Sequence, residues 1–562
     1  MRYALVSNTL ENGKKGEDMT VDANRIRCVD PLVSPQYPFN EPPRPPERSE
    51  PRYATFADYE ARIPLRDGVR LAADVLRPSA AGLKFPALVS TSVYTRQLQR
   101  GVTALGQNEA GISEFWVPRG YAHVVVDVRG CNDSEGVYDL FGAQEQQDLY
   151  DIIEWVAEQP WCDGNVGMSG ISYMGRTQLF AAAQQPPHLK AIFPYDASCD
   201  FYRDACFHGG IATSFTTHWT AFVMNLNMTS GRNPNADGIK RKLEMMYSQQ
   251  YPFDGAFYHE RSAWPRLERI KIPAYFGSGW YMNELHLKGV FDGYLGTSGI
   301  PKRMLVGPRP WPLRPWAGYH YEMLRWYDHW LKGMDTRVME GPPIQLYIQG
   351  ENIWRSEHEW PLKRTEWREF YLGGSPNGLE GSLLERPGGE QVRRFEHDPA
   401  TRDALHGEPR LTYRTQPFAS AMELTGPMAL YLNASSSAPD IDWLVFVADE
   451  APDGRVRELS KGWLRSSHRK IDPARSAPAK PYHPHLAAEP MQPGTVYEFP
   501  IEIWPVCNVF NPGHRLRLEI ANSDSIIASG GRPHVTIRAN ATNEVHEGGR
   551  TPSRLLAPVI PR

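Results

Sequence analysis

A serine between glycines is the residue whose setting most clearly predicts covalent chemistry in this chain. Ser172 lies within Gly170–Gly175 (GISYMG), an elbow of the GxSxG type whose second glycine comes one residue late. The small and apolar residues Asn165–Ser169 before it predict a short strand, and Arg176–Gln185 after it predicts a helix. A serine at such a strand–turn–helix junction is held in a strained conformation with its hydroxyl accessible. We therefore predict that Ser172 is a nucleophile that attacks a carbonyl group.

Such an elbow needs a parallel sheet to carry it, and the neighbouring sequence predicts one. Phe85–Tyr94 and Ala122–Gly130 are continuous apolar runs, as expected of strands that are buried on both faces. A hairpin around the turn at Asp67 precedes them, and a helical pattern follows at Ala143–Gln159. Further strand and helix patterns lie at Ile272–Trp280, Arg303–Pro308 and Tyr321–Gly333. Alternating strands and helices predict a parallel sheet covered on both faces.

Composition divides the chain into three parts. Residues 1–50 are predicted to form a proline-rich arm, in which the run Asn40–Pro51 is restricted to extended or polyproline-like backbone. Residues 51–340 form an α/β-hydrolase domain, interrupted at about 196–268 by a helical cap insertion that includes the helical pattern 236–251. Residues 341–562 contain short β runs separated by Gly, Pro, Asn and Asp, which is typical of a β-sandwich or jelly roll. The predicted fold class is α/β with a C-terminal jelly-roll domain.

Charge and composition argue against several classes of protein. With 61 basic and 65 acidic residues the net charge is −4. This near balance creates no positive electrostatic field that would attract nucleic acid or an anionic membrane. No window of about 18 uncharged apolar residues predicts a membrane helix. The N-terminal residues lack a signal-peptide pattern, so we expect a cytoplasmic protein. The stretch GKKGED before Met19 leaves both Met1 and Met19 as candidate translation starts.

Cofactor motifs are also missing from the sequence. Six cysteines without a CxxC pair favour reduced thiols over a disulfide framework or a zinc site. The sequence has no phosphate loop, HExxH, EF-hand or Rossmann glycine pattern, so we expect neither a nucleotide nor a metal cofactor. A homo-oligomer is compatible with the sequence, which does not determine the oligomeric state.

Several motifs together indicate a family. They are the hairpin IPLRDGVRLAADVLRP, the loop DVRGCNDSEG, the elbow with its preceding helix, the helix WYDHWLKG, and the C-terminal segments PDIDWLVFVADEAPDG and FNPGHRLRLEI. In these motifs the chain resembles the cocaine-esterase-like, X-Pro dipeptidyl-peptidase-like hydrolases, a group that also includes α-amino-acid ester hydrolases and glutaryl acylases. The resemblance runs from about Arg62 to the C-terminus. It implies an α/β-hydrolase that acts on an ester or amide, with a β-rich domain that helps to shape the cleft.

The resemblance also implies roles for three residues. Ser172 corresponds to the nucleophile, and the main-chain amide of Tyr173 corresponds to one donor of the oxyanion hole. Tyr94 matches the family tyrosine whose hydroxyl is the second donor. Two such donors stabilise the negative charge that develops on a carbonyl oxygen under attack. The alternative for Tyr94 is a buried aromatic residue at the end of a strand.

The acid and the base of the family are missing from their usual positions. The family aspartate follows a Gly-Trp-Tyr sequence, and here Met282 follows Gly279-Trp280-Tyr281. The family histidine follows a Gly-Pro-Trp sequence, and here Trp311 is nearest to that position. Neither side chain accepts a proton, and serine is a weak nucleophile without a base. The sequence therefore predicts an incomplete triad.

Other residues are candidates to replace the missing groups. His286 follows Met282 closely, together with Asn283 and Glu284, and His320 precedes the helix Tyr321–Gly333. Each of these residues is equally well explained as a packing or surface residue. The cap adds further candidates, namely Asp200, Tyr202, Asp204, His208 and His218.

Three hypotheses for function follow. The first is a serine hydrolase for a small-molecule acyl substrate, with Ser172, the oxyanion donors Tyr94 and Tyr173, and either His286 or His320 as base. The second is a non-hydrolytic enzyme of specialised metabolism that uses the same pocket for acyl transfer, elimination or cyclisation. The third is a catalytically silent binding protein.

Overall fold

The computed structural model describes residues 47–100, 109–229, 250–308, 316–374, 378–401, 407–525 and 533–562. Residues 1–46 of the predicted arm and most of the predicted cap helix at 236–251 lie outside these residues. The described helices are α1 Ser113–Trp116, α2 Ala143–Ala157, α3 Tyr173–Gln184, α4 Ser214–Thr229, α5 Ala256–Glu260, α6 Leu287–Gly296 and α7 Trp316–Lys332. None of the described helices is long and apolar enough to cross a membrane.

Ten strands form the first sheet. They are β1 Thr55–Pro64, β2 Arg70–Pro78, β3 Phe85–Ser92, β4 Ala122–Asp127, β5 Cys162–Met168, β6 Leu189–Ile192, β9 Ala274–Gly279, β10 Lys302–Gly307, β11 Ile344–Ile348 and β12 Ile353–Glu357. Their order is β1-β2-β4-β3-β5-β6-β9-β10-β11-β12. In this order, the strands from β4 to β11 are parallel to one another. The pairs β1–β2, β2–β4 and β11–β12 at the two ends of the sheet are antiparallel. The predicted hairpin and parallel sheet are confirmed.

Helices cover both faces of this sheet because alternate strand residues point to opposite sides. Leu88 of β3 packs in a cluster with Trp116 of α1 and Leu324 of α7. Its neighbour Val89 packs in a different cluster, together with Leu179 of α3. Consequently α1 and α7 lie on one face, and α2, α3 and α6 lie on the other. The parallel strands end at one common edge, where loops and the cap build a site.

The C-terminal domain is a β-rich unit of 11 strands. These strands are β13 Glu366–Gly373, β14 Glu380–Leu384, β15 Gln391–His397, β16 Leu411–Arg414, β17 Met422–Ser436, β18 Asp442–Glu450, β19 Val456–Arg465, β20 Tyr497–Phe510, β21 Arg515–Ala521, β22 Ala541–Glu547 and β23 Arg554–Ile560. In the strand order, β17 is followed by β20 and β23 is the last strand. Because β17 also pairs with β23, the sheet closes on itself like a barrel. The predicted β-rich domain is confirmed, while its jelly-roll form stays a prediction.

The first sheet extends beyond residue 340, where the second domain is predicted to begin. Strand β11 pairs in parallel with β10, and β12 pairs with β11, so both extend the first sheet. The first sheet therefore continues to Glu357. The short apolar run at 344–348 resembles the later β runs in composition, and only its pairing with β10 assigns it to the first sheet.

The described part of the cap lies between β6 and β9. It contains a π-helical turn at Tyr202–Cys206, a small hairpin of β7 Phe207–His208 and β8 Ile211–Ala212, and the helices α4 and α5. The cap touches the C-terminal domain, since the amide of Ser214 at the start of α4 donates to the carbonyl of Pro533 (3.0 Å). The cap therefore lies between the strand ends and the second domain.

Candidate active site

The predicted elbow is formed at Ser172. Strand β5 ends at Met168 and α3 begins at Tyr173, so Ser172 occupies the junction with φ of 60° and ψ of −112°. A positive φ is strained for a residue with a side chain, and such strain is concentrated at functional sites. The amide of Ser172 donates to the carbonyl of Tyr195 (2.9 Å), which anchors the turn to the neighbouring strand segment. Ser172 itself is half-buried.

The two glycines of the elbow are required by close packing. A Cβ atom on Gly170, whose φ is +136°, would lie 2.3 Å from the Cβ of Met174. A Cβ on Gly175 would lie 2.4 Å from the carbonyl oxygen of Tyr195. Both distances are shorter than any van der Waals contact. The late second glycine is therefore explained by the approach of α3 to the segment that follows β6.

The start of α3 offers a donor beside Ser172. The first amides of a helix have no acceptor within the helix, and the Tyr173 amide is the first of α3. The helix dipole adds a partial positive charge at the same end. A carbonyl oxygen that becomes negative next to Ser172 would be stabilised by both effects.

Tyr94 lies two residues beyond the end of β3 and only 2% of it is exposed. The indole Nε1 of Trp219 donates to the Tyr94 hydroxyl oxygen (2.9 Å). The ring centroid of Tyr94 is 6.3 Å from that of Tyr173. Tyr94 thus packs against the residue that follows Ser172, and its hydroxyl oxygen accepts a hydrogen bond from a residue of α4.

A narrow pocket with a volume of about 30 Å³ lies over the elbow. Its polar lining residues are Ser172, Arg176, Ser198, Thr216 and His286. Its apolar and aromatic lining residues are Phe141, Tyr173, Phe201, Ala205, Phe215, Trp219 and Leu285. The structure therefore brings Ser172 and His286, two of the predicted site residues, to the same pocket.

His286 is positioned by the turn that follows β9. The carbonyl of Met282 accepts the amides of His286 (3.2 Å) and Leu287 (3.0 Å), and α6 begins directly afterwards. His286 is 3% exposed. Met282 packs in the core of the α2, α3 and α6 face. The turn thus carries an imidazole to the pocket four residues after Met282.

The structure does not bring His320 to this pocket. His320 lies on α7, where its ring stacks on Phe115 (4.6 Å between centroids) and meets Trp116 edge to face (6.0 Å). Burial lowers the pKa of His320 to about 3, so the imidazole is neutral at physiological pH. The hypothesis that His320 is a base is therefore corrected: it is a core residue of the α1 and α7 face. Trp311 lies outside the described residues.

Other candidates from the sequence are engaged elsewhere. Glu284 forms an ion pair with Lys461 of the C-terminal domain. The Asn283 amide donates to the carbonyl of Leu459 (3.4 Å). His208 of the cap shares a hydrogen bond with His534 (2.8 Å between Nδ1 and Nε2). These residues hold the hydrolase domain, cap and C-terminal domain together.

Asp196 was missed in the sequence. It follows β6 in a left-handed conformation (φ 48°) and is completely buried. Its carboxylate accepts hydrogen bonds from the hydroxyls of Ser278 (2.7 Å) and Tyr281 (3.2 Å). A carboxylate therefore lies at the carboxyl edge of the sheet, although the position after β9 holds Met282. The only signal in the sequence is an acidic residue just after the apolar run LKAIF.

A second buried carboxyl group, Glu145 of α2, supports the elbow from behind. The Tyr173 hydroxyl donates to Glu145, and the Phe141 amide donates to its other oxygen (2.6 Å). The Tyr138 hydroxyl in turn donates to that of Tyr173 (3.2 Å). Burial raises the pKa of Glu145 to about 7, and the hydrogen bond from Tyr173 opposes this increase. The ring of Tyr173 is thus fixed while its amide stays at the helix start.

Comparisons with known proteins agree with this architecture. Residues 67–310 match the model of the X-Pro dipeptidyl-peptidase (S15) family, and residues 336–556 match the X-Pro dipeptidyl-peptidase C-terminal non-catalytic domain. Cocaine esterase from Rhodococcus sp. is 28% identical, and the alignment covers 89% of this chain and 98% of that protein.

Solved structures give the same result. A CocE/NonD family hydrolase from Staphylococcus aureus superposes with a TM-score of 0.78 at 25% identity, covering 90% of this chain and 94% of that one. An α-amino acid ester hydrolase, with a TM-score of 0.71 at 17% identity, shares the fold and covers 91% of this chain and 98% of its own. With both family domains matched, this chain belongs to the cocaine-esterase-like, X-Pro dipeptidyl-peptidase-like family of α/β-hydrolases, a family of esterase- and peptidase-type hydrolases.

Proposed function

We propose that this protein is a serine hydrolase that cleaves an ester or amide bond of a small-molecule acyl substrate. The observation that carries the proposal is the pocket shared by Ser172 and His286. A strained serine at a helix N-terminus and an imidazole at the same pocket are the minimum needed for nucleophilic catalysis. The family and its esterase and peptidase members support the same class of reaction.

Each of four groups has a role in the proposed reaction. The Ser172 hydroxyl oxygen bonds to the substrate carbonyl carbon while its proton passes to His286. The Tyr173 amide and the Tyr94 hydroxyl donate hydrogen bonds to the carbonyl oxygen as it becomes negative. His286 then returns the proton to the leaving alcohol or amine as its bond to carbon breaks. Water attacks the resulting acyl-serine with His286 again as base, which releases the acid and restores Ser172.

The Trp219 indole has a supporting role in this proposal. Because its N–H donates to the Tyr94 oxygen, the Tyr94 hydroxyl is a stronger donor through its own proton. The aromatic lining suits an apolar portion of the substrate, since it excludes water and strengthens the interactions at the carbonyl oxygen.

The proposal is tested by labelling with a fluorophosphonate probe, which bonds to an activated serine and releases fluoride. We expect one adduct, on Ser172, that is lost in Ser172→Ala. His286→Gln should slow the labelling by about a thousandfold or more, because a serine without its base loses several orders of magnitude in rate. The matched control is His320→Phe, which keeps the stacking on Phe115 and should label at the normal rate.

Two outcomes would contradict the proposal. Normal labelling of His286→Gln would mean that His286 is not the base. If the folded wild-type protein does not label at all, Ser172 is not activated, and the non-hydrolytic enzyme or the binding protein replaces the hydrolase hypothesis.

A further inference from the structure

A buried arginine lies one helical turn beyond the nucleophile. Arg176 of α3 is 5% exposed, and its amide donates to the carbonyl of Ser172 (2.9 Å). Its guanidinium lies between the rings of Phe141 and Phe201, at 4.2 and 4.6 Å from their centroids. Both rings line the pocket together with Arg176 itself. The faces of the guanidinium are therefore covered by aromatic rings, and only its edges are left for hydrogen bonds.

Those edges are incompletely used. One terminal nitrogen donates to the carbonyl of Arg261 (3.1 Å), while the buried Nε has no hydrogen-bond acceptor among the described residues. Arg176 also forms no ion pair within the part of the chain that the structure describes. The neighbouring carboxylate, Asp204, accepts two backbone amides and lies 3.7 Å from the Lys288 ammonium. A buried cation without a counter-ion is costly, so the site favours an anion.

A second donor in the same pocket is Ser198. It is 1% exposed, and its hydroxyl has no hydrogen-bond partner among the described residues. Arg176 and Ser198 line the pocket with Ser172. An arginine edge with a nearby hydroxyl matches the oxygen atoms of a carboxylate, which arginine binds through paired hydrogen bonds.

We propose that the substrate carries a carboxylate that binds Arg176 and Ser198 while its ester or amide carbonyl reaches Ser172. This inference rests on the proposed hydrolase function and narrows its substrate class. The four residues from Ser172 to Arg176 correspond to a helical rise of about 6 Å, which suits a linker of a few bonds between the carbonyl and the carboxylate. The carboxylate belongs to either the acyl part or the leaving group, and the experiment separates the two.

The test compares esters of similar length with and without the charge. Ethyl butyrate is neutral, monoethyl succinate has its carboxylate on the acyl part, and the butyrate ester of 3-hydroxypropanoate has it on the leaving group. We expect kcat/KM, measured by titration of the released acid, to be at least about tenfold higher for one charged ester than for ethyl butyrate. Arg176→Met should lower kcat/KM for the preferred charged ester at least about tenfold more than for ethyl butyrate, which removes the preference.

Variants and a second readout make the result specific. Arg176→Lys keeps the charge without the paired donors and should recover part of the preference. Ser198→Ala should lower it, and this milder change serves if Arg176→Met does not fold. The inference is overturned if neither charged ester is preferred by the wild-type protein, or if the Arg176 variants slow all three esters equally, as expected for a merely structural arginine.

Failure of the hydrolase proposal is recognised separately. Fluorophosphonate labelling reports on Ser172 without a carboxylate, and the shift of the melting temperature by succinate reports on the anion site without catalysis. If the protein is not labelled but succinate stabilises the wild type and not the Arg176→Met variant, the carboxylate site is supported and the hydrolase proposal is refuted. If the protein is labelled but succinate does not stabilise it and no ester is preferred, the hydrolase proposal is supported and the carboxylate site is refuted.

Discussion

The carboxyl group of Glu145 leads to a prediction with a calculable size. Burial raises its pKa from 4.5 to about 7. Because the native state binds this proton more tightly than the unfolded state, the stabilisation is fully present below about pH 4.5 and is lost as the pH rises through about 7. The two pKa values differ by about 2.5, and at about 1.36 kcal/mol for each pKa unit the effect amounts to about 3 kcal/mol.

The perturbation is Glu145→Gln, which removes the titration and retains a similar shape. The NH₂ group of the new carboxamide faces either the Phe141 amide or the Tyr173 hydroxyl, so one of the two hydrogen bonds that Glu145 accepts is lost. The loss of stability from this hydrogen bond does not depend on pH. As the pH rises from about 4.5 to 8.5, we therefore expect the free energy of unfolding of the variant to increase by about 3 kcal/mol relative to that of the wild type. For a domain of about 300 residues, an unfolding entropy of about 0.6 kcal/mol per degree converts this into about 5 °C.

The assay is the melting temperature of both proteins from pH 4.5 to 8.5, reported as the difference at each pH. The matched control is Glu158→Gln, the same exchange at the exposed end of the same helix. A difference for Glu145→Gln that stays constant with pH, or that Glu158→Gln reproduces, would refute the argument that burial keeps the Glu145 carboxyl group protonated.

Two further predictions concern the elbow. Tyr94→Phe keeps the buried ring but removes the proposed oxyanion donor, so kcat should fall by about 10²–10³, while the loss of the hydrogen bond from Trp219 lowers the melting temperature only slightly; normal turnover would exclude Tyr94 from the oxyanion hole. Gly175→Ala places a Cβ 2.4 Å from the Tyr195 carbonyl oxygen and should lower both the melting temperature and the labelling of Ser172. Gly255→Ala, where the added Cβ meets nothing within 4 Å, is the control and should change neither; equal behaviour of the two variants would contradict the packing argument.

The local part of the site could be predicted from the sequence. The strand before Ser172, the helix after it and the nearby glycines determine the elbow by short-range sterics, so a single stretch of chain is enough to recognise it. The continuous apolar runs likewise predict buried parallel strands, because strands covered on both faces have no polar side. The roles of Ser172, Tyr94 and the Tyr173 amide remain predictions, and the structure is compatible with all three.

Tertiary structure was needed for every relation between distant residues. His286 and His320 are equivalent candidates in the sequence, yet α6 begins at the pocket while α7 packs His320 against Phe115 on the other face of the sheet. The assignment of β11 and β12 to the first sheet depends on the pairing of β11 with β10 and of β12 with β11, which their composition does not encode.

The charge of the site was also decided by the fold. Arg176 has the appearance of an ordinary helix residue in the sequence, and Asp196 that of a residue in a connecting loop. A missing counter-ion or a buried carboxylate is defined by all the elements that surround it, and these come from separate parts of the chain. The sequence by itself therefore determined the setting of Ser172 and the domain types, and the packing of the sheet, its helices and the cap decided which candidate side chains lie beside that serine.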